Sequence, residues 1–519
     1  MRSPLSTVFQ PEHPVTTRPR ALASIFSLAA FAACAPAAPP LAAGAPTPDE
    51  APPSAFYTVT VRAVTPVPRF AVRAELWGIG DTLRMEQTRP GDSPEILRRG
   101  WPAVIQNLRV RDARGQEIAA TSAGAAGWVL GPHGEHVVVE YDSDLALLAG
   151  QGWPAPREAA FADDSGVLVV ARALFVGDPA AGEASVRFVV PPGWRVAAPW
   201  LADPRDAGLY RVRGFDHLTT NAFALTRAPA SAVSAGGFSL EAVTFGRWRR
   251  RGADATAVLC ASAAAFTELF GEQAPHRYLA AFLDDADMAG EAYLDSYVMQ
   301  ADPELPAGTW GRIVAHELFH FWNGQRLRGR DYVASQWFQE GVTEYQALLA
   351  TTRNGFMSQS ELLAQLGERL TASRGMTASL AESGARKNPA FYGRATVTAL
   401  LLDLLLRERT GGARSLNDLL RSLWRDFEAR PYTLPDLYAA ASRVGGPGVG
   451  DFLVSQVEGA APVEPDALLA TVGLRVSRQF GGPEHVTVDP SAAAAARTRW
   501  SAMLAPRPGA RGCPLAGAG

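Results

Sequence analysis

A change of texture near residue 241 limits what this chain can fold into. From 55 to 240, short β-branched and aromatic runs ("FYTVTVRAV", "FAVRAELWGI", "EHVVVEYDS", "GVLVVARALFV", "ASVRFVVPPGW") are separated by turn signals such as "RPGD", "DARG" and "PPGW". Beyond 241, "ATAVLCASAAAFTELFG" reads as a helix, "RYLAAFLDD" as a strand, and helices dominate after 350. Strands first and helices later predict segregated layers, an α+β multidomain fold. The expected domains are an N-terminal antiparallel β-sandwich-like domain over 55–240, a mixed domain over 241–350 and a helical domain over 351–475. Ser358 and Glu361 form a capping-box pattern, and Gly411-Gly412 a helix stop. The Ala-, Pro- and Gly-rich stretch 476–519 predicts an irregular tail.

Composition narrows the chemistry. A net charge of -3 gives no support for nucleic-acid binding. The three cysteines, Cys34, Cys260 and Cys513, form no C-x-x-C pair, so a metal here would be held by histidine and carboxylate. Arg18 and Arg20 precede the apolar, small-residue run "ALASIFSLAAFAACAPAAPP", which predicts an export signal over 1–34. "FAAC" resembles a bacterial lipobox, with Cys34 as the lipidated residue and 35–54 as a Pro/Ala-rich linker. The expected location is periplasmic or membrane-anchored through Cys34, with a plainly secreted protein as the alternative.

Within the middle segment lies "HELFHFWNG". His316 and His320, four apart, share one helix face and can grip one ion, and zinc accepts imidazole nitrogen readily. Glu317 is rotated about 100° from His316. It therefore flanks the ion, where a general base takes a proton from water. A third histidine six residues past His320 would complete another ligand set, but that position is Arg326. Instead "WFQEGVTEY" follows, with 19 residues between His320 and Glu340. If two helices pack antiparallel across a short loop, Glu340 faces the histidines, and Gly341 permits close helix approach. Two histidines, one glutamate and an open position make a catalytic set. Glu344, one turn on, is the rival ligand, or else orients a histidine.

"HELFHFWNGQRLRG" followed by "WFQEGVTEY" resembles the glycyl aminopeptidase family of gluzincin zinc metallopeptidases, related to aminopeptidase N and more distantly to thermolysin. "FYGRATVTALLLDLLLRERTGGARSLNDLLRSLW" and "DFLVSQVEGAAPVEPDALLATVGLRV" are similar to the family's downstream parts. The β-rich region is similar to its N-terminal domain. The resemblance implies a thermolysin-like catalytic domain, one zinc per chain, and Tyr392, eleven residues before Asp403, as donor to the oxyanion. "YGRA" stands where the family has Tyr-x-Lys-Gly. It also implies that Glu291, in "DMAGEAYLDSYVM", binds the substrate's free amine, although the flanking residues differ. A C-terminal PDZ domain found in many relatives is not expected here. The expected function is a zinc-dependent peptidase acting on peptide substrates, an aminopeptidase. The alternatives are a thermolysin-like endopeptidase and a non-enzymatic envelope binding protein on the same fold. Oligomeric state is not legible.

Overall fold

The computed structural model describes residues 54–506, apart from 65–67, 89–93, 146–159, 272, 274–275, 287, 387, 461 and 479–481. The export signal, Cys34 and the linker over 35–53 lie outside the described residues.

The N-terminal region is built on two packed sheets, of eight and four strands, with a small three-stranded sheet beside them. β1 (Ala55–Ala63) buries Ala55, Tyr57 and Val59 and leaves the residues between them partly exposed, the period-2 pattern of a strand with one covered face. It pairs with β2 (Arg69–Trp77); β3 (Ile105–Asp112), β4 (His136–Asp144) and four further strands extend the same eight-stranded sheet. The run "GVLVVARALFV" does not stay extended. β5 (Gly166–Val170) ends at Val170, and Ala171–Ala173 form a 3-10 turn that sends Arg172 out of the sheet. β6 (Ala184–Val189) lies beside β1 in parallel, so the first sheet is not wholly antiparallel as expected. The second sheet contains β5 and β7 (Ala222–Thr226) among its four strands.

Five strands form the sheet of the middle region: β8 (Ser231–Ala235), β9 (Phe238–Thr244), β10 (His276–Asp284), β11 (Ala289–Ala292) and β12 (Ser296–Ala301). Their spatial order is β8-β9-β10-β12-β11. β9, β10 and β12 are parallel, while β8 and β11 run antiparallel at the two edges. The parallel β9–β10 pair needs a crossover, supplied by helix α1 (Gly252–Phe270). Both faces of this sheet are covered, which is why "YLAAFL" is continuously apolar. Tyr278, Ala280 and Phe282 pack with α1 and with α2 (Ala307–Phe319), whereas Leu279, Ala281 and Leu283 pack on Leu168, Val170, Ala222 and Ala224 of the N-terminal region. One sheet thus carries the HELFH helix on one face and the N-terminal region on the other.

After the short α3 (Tyr332–Gln336), helices α4 (Thr343–Arg353), α5 (Gln359–Ser373), α6 (Pro389–Arg409) and α7 (Leu416–Phe427) share a core with that sheet. The predicted capping box is formed, Ser358 accepting from the Glu361 amide at 3.2 Å. α6 is long and apolar enough to cross a membrane, but it is buried in this core. Its Asp403 accepts from Tyr345 Oη at 2.9 Å, the Leu416 amide at 2.8 Å and Arg407 Nε at 3.1 Å. The stretch after 476 departs from the irregular tail expected. Leu474–Arg478 and Glu484–Val488 pair as a hairpin, and Ala494–Met503 is a helix. Tertiary contact accounts for the difference: the Glu484 amide donates to Thr371 of α5 at 2.7 Å, and Trp500 and Met503 are buried.

Candidate active site

α2 ends at Phe319, so His320 sits at the helix's C-cap instead of inside a longer helix. Its backbone remains helical, with φ -60° and ψ -21°, and this keeps His320 on the face of His316. The "WFQEGV" segment is not a plain α-helix either. Between α3 and α4, Trp337–Val342 form a π turn that carries Glu340. Single π turns inside α-helices re-aim side chains and recur at functional sites. Here the turn lies against α6. A Cβ at Gly341 would fall 2.4 Å from the carbonyl carbon of Ala395, so the close approach that Gly341 permits is to α6.

Glu340 Oε2 lies 3.4 Å from His316 Nε2 and 3.6 Å from His320 Nε2, and the two Nε2 atoms are 3.1 Å apart. The opposite ring nitrogens are engaged. His316 Nδ1 lies 2.9 Å from Glu344 Oε2, and His320 Nδ1 lies 3.0 Å from the Asn323 carbonyl oxygen. Both of those partners are acceptors, so each Nδ1 carries a hydrogen and each Nε2 lone pair is left for an ion. Two nitrogens and one carboxylate oxygen within 4.8 Å of one another, all buried, suit zinc. The antiparallel packing of α2 and α4 follows from the contacts: Glu340 meets His316 and His320, while Glu344 meets His316 and Arg312.

The second carboxylate, Glu344, faces away from this convergence. Arg312 Nη1 donates to both of its oxygens at 2.7 Å, and Arg369 Nη2 donates to Oε1 at 2.6 Å. Burial opposes its charge, but the two guanidiniums and His316 hold its carboxyl well below the usual carboxylate range. Burial likewise opposes a charge on His316, yet the Glu340 and Glu344 carboxylates outweigh it and push its imidazole up to about 9.

Glu317 is buried beside the donor set. Burial, partly offset by the two histidines, pushes its carboxyl up to about 7. Its Oε1 has no hydrogen-bond partner among the described residues. The edge strand β11 passes close by, and a Cβ at Gly290 would lie 2.4 Å from that oxygen. Tyr392 stands in the first turn of α6, not ahead of the helix. Burial raises its phenol well above the usual range, and the nearby Glu340 and Glu317 carboxylates add to the effect. Glu291, on β11, meets a different partner from the one expected. Its Oε1 accepts from Arg172 Nη2 at 2.6 Å and its Oε2 from Tyr293 Oη at 2.7 Å. Arg172 comes from the N-terminal region and also lies over the rings of Trp101 and Tyr293.

The structure therefore brings His316, Glu317, His320, Glu340 and Tyr392 together, with Glu291 on the neighbouring edge strand. Sequence reasoning missed Arg312, Arg369, Arg172 and Asn323. Arg312 had a signal, since it stands four residues before His316 on the same helix face; the others come from separate elements.

Two histidines and one glutamate with a side left open are the donor set of a catalytic zinc site. The resemblance read from the sequence holds in that segment: residues 310–394 match the model of the M61 glycyl aminopeptidase family. The fold is similar to that of an aminopeptidase N family protein from Idiomarina loihiensis, with a TM-score of 0.69, 20% identity, and 82% of this chain and 79% of that one covered. It is also similar to an M1 zinc metallopeptidase from Deinococcus radiodurans, with a TM-score of 0.51, 17% identity, and 79% and 94% covered. A mutant of that protein, bound to a Tyr-Ser-Ala substrate, gives a TM-score of 0.51 at 16% identity, with 79% and 94% covered. A search of curated protein sequences found no match.

Proposed function

We propose that this protein is a zinc-dependent aminopeptidase with a thermolysin-like catalytic centre, hydrolysing peptide bonds by attack of activated water. The observation that carries the reading is the convergence of His316 Nε2, His320 Nε2 and Glu340 beside Glu317, whose Oε1 has no hydrogen-bond partner among the described residues. These three ligands would hold one zinc per chain. When bound, zinc supplies Lewis acidity toward the scissile carbonyl and lowers the pKa of water. Glu317 takes the water's proton and returns it to the leaving amine. Tyr392 keeps its proton and donates a hydrogen bond to the developing oxyanion. Glu344 and the Asn323 carbonyl fix the two imidazoles, and Glu291 marks where a substrate's amino end is held. Substrates would be peptides met after export.

One observation favours a second reading, a thermolysin-like endopeptidase. Arg172 and Tyr293 already occupy both oxygens of Glu291, so a substrate ammonium would have to compete with an internal cation. Turnover of matched peptides with free and acetylated N-termini separates the two. An aminopeptidase releases the first residue of the free peptide and leaves the blocked one intact. Internal cleavage of both peptides would move the assignment to the endopeptidase, and turnover of neither would remove it.

A further inference from the structure

The donor set comes from two segments that the chain does not hold together by itself. His316 and His320 belong to α2, and Glu340 to the π turn after α3. Asn323, three residues past His320, touches both. Its backbone oxygen lies 3.0 Å from His320 Nδ1. Its side-chain Nδ2 lies 3.0 Å from the Phe338 carbonyl oxygen, 3.2 Å from that of Gln339 and 3.1 Å from Thr343 Oγ1. The first two acceptors belong to the π turn and the third to the residue that follows it. Carbonyl oxygens only accept, so the amide orientation is fixed with nitrogen toward the turn. Asn323 Oδ1 has no hydrogen-bond partner among the described residues, and the side chain is fully buried. An amide kept in the core at the cost of an unpaired oxygen is kept for its donor end.

We infer that Asn323 is a positioning residue that locks the HELFH segment to the π turn and thereby sets His320 and Glu340 at the spacing the metal needs. The inference rests on the zinc reading above. Asparagine fits this place because it has two hydrogens to share among three acceptors and a side chain short enough to span adjacent segments. Aspartate has the same shape but would set oxygen against two carbonyls. Alanine would leave those carbonyls and the Thr343 hydroxyl without this donor.

The test uses the purified protein, its Asn323→Ala and Asn323→Asp variants, and zinc itself as the ligand, titrated against a chromophoric chelator. Cobalt-substituted samples report donor geometry through their visible absorption. Both variants should fold without metal, bind zinc about 10–100-fold more weakly than wild type, the range for lost outer-shell support, and show shifted cobalt bands. Zinc affinity within about twofold of wild type in a folded variant, well inside that range, would overturn the inference. So would two variants that fail to fold without metal, because Asn323 would then be a packing residue. A wild-type protein that takes up no zinc would instead sink the zinc assignment itself, and is distinguished from failure of this inference by that control.

Discussion

Replacing Glu344 with glutamine tests the proposal that Glu344 orients His316 while Glu340 is the ligand. The buried Glu344 carboxylate takes contacts of 2.6–2.9 Å from Arg312, Arg369 and His316. Glutamine keeps the shape and one acceptor oxygen but removes the charge between two buried guanidiniums. Removing one partner from a buried ion pair costs about 3–5 kcal/mol. The retained oxygen still accepts from one arginine, so the metal-free protein should lose about 3 kcal/mol, the lower end of that range. Zinc affinity should fall about 10–100-fold, because His316 loses its orienting partner but not its metal-facing nitrogen. Glu340→Gln should show the reverse balance, with a smaller loss of metal-free stability and a larger loss of zinc. Urea unfolding of chelator-treated protein reads the first quantity and chelator competition the second. Linkage gives an independent check. The folded pKa of Glu344 is depressed, so its contribution is present above the unfolded value of about 4.3 and fades only as pH falls through the lower folded value. Glu344→Gln should therefore remove a stability increment that wild type retains down to pH ~4. If Glu344→Gln changed metal-free stability by less than about 1 kcal/mol, far below the loss expected for a broken buried pair, and abolished zinc as fully as Glu340→Gln, the roles assigned to the two glutamates would be wrong.

Three further outcomes are expected. Glu317→Gln should keep its zinc and lose ~10²–10⁴-fold in turnover; a near-normal rate would show that another group moves the proton. Tyr392→Phe should lower kcat by ~10²–10³-fold with zinc content and KM little changed, and a stable mutant with wild-type kcat would assign the oxyanion donor elsewhere. His316, raised to about 9 without metal, stabilises the metal-free fold below its unfolded pKa of about 6.5, and that contribution is lost as pH rises through about 9. Zinc must displace this proton, so zinc affinity should rise with pH up to about 9 and then level off, with a proton released below that point; calorimetry in buffers of different ionisation enthalpy would detect the release or its absence.

Much of this was legible in the sequence because the signals were local. His316, Glu317 and His320 declare themselves by helical spacing. The texture change at 241 separates a β-rich region from one dominated by helices. Glu340 was read as the ligand and Glu344 as its rival from spacing alone, which could not show how each meets the histidines. In an unbroken helix the two glutamates are neighbours on one face. It is the π turn over Trp337–Val342, invisible to any spacing rule, that turns Glu340 to the Nε2 side of the histidines while Glu344 reaches Nδ1. The partners of Glu291 were hidden for another reason. Arg172 is 119 residues away, within a run whose alternation reads as strand, and only the break after Val170 delivers it to Glu291. The hairpin and helix after 474 were missed because their order comes from contact with α5 and the core, not from propensity.

The central claim is most directly tested by anomalous diffraction at the zinc absorption edge from crystals of the untreated protein. A single zinc peak per chain, bonded to His316 Nε2, His320 Nε2 and a Glu340 carboxylate oxygen with Glu344 outside bonding distance, is the predicted result. A peak bonded to Glu344 in place of Glu340, or crystals grown with zinc that show no peak between the two histidines, would contradict it.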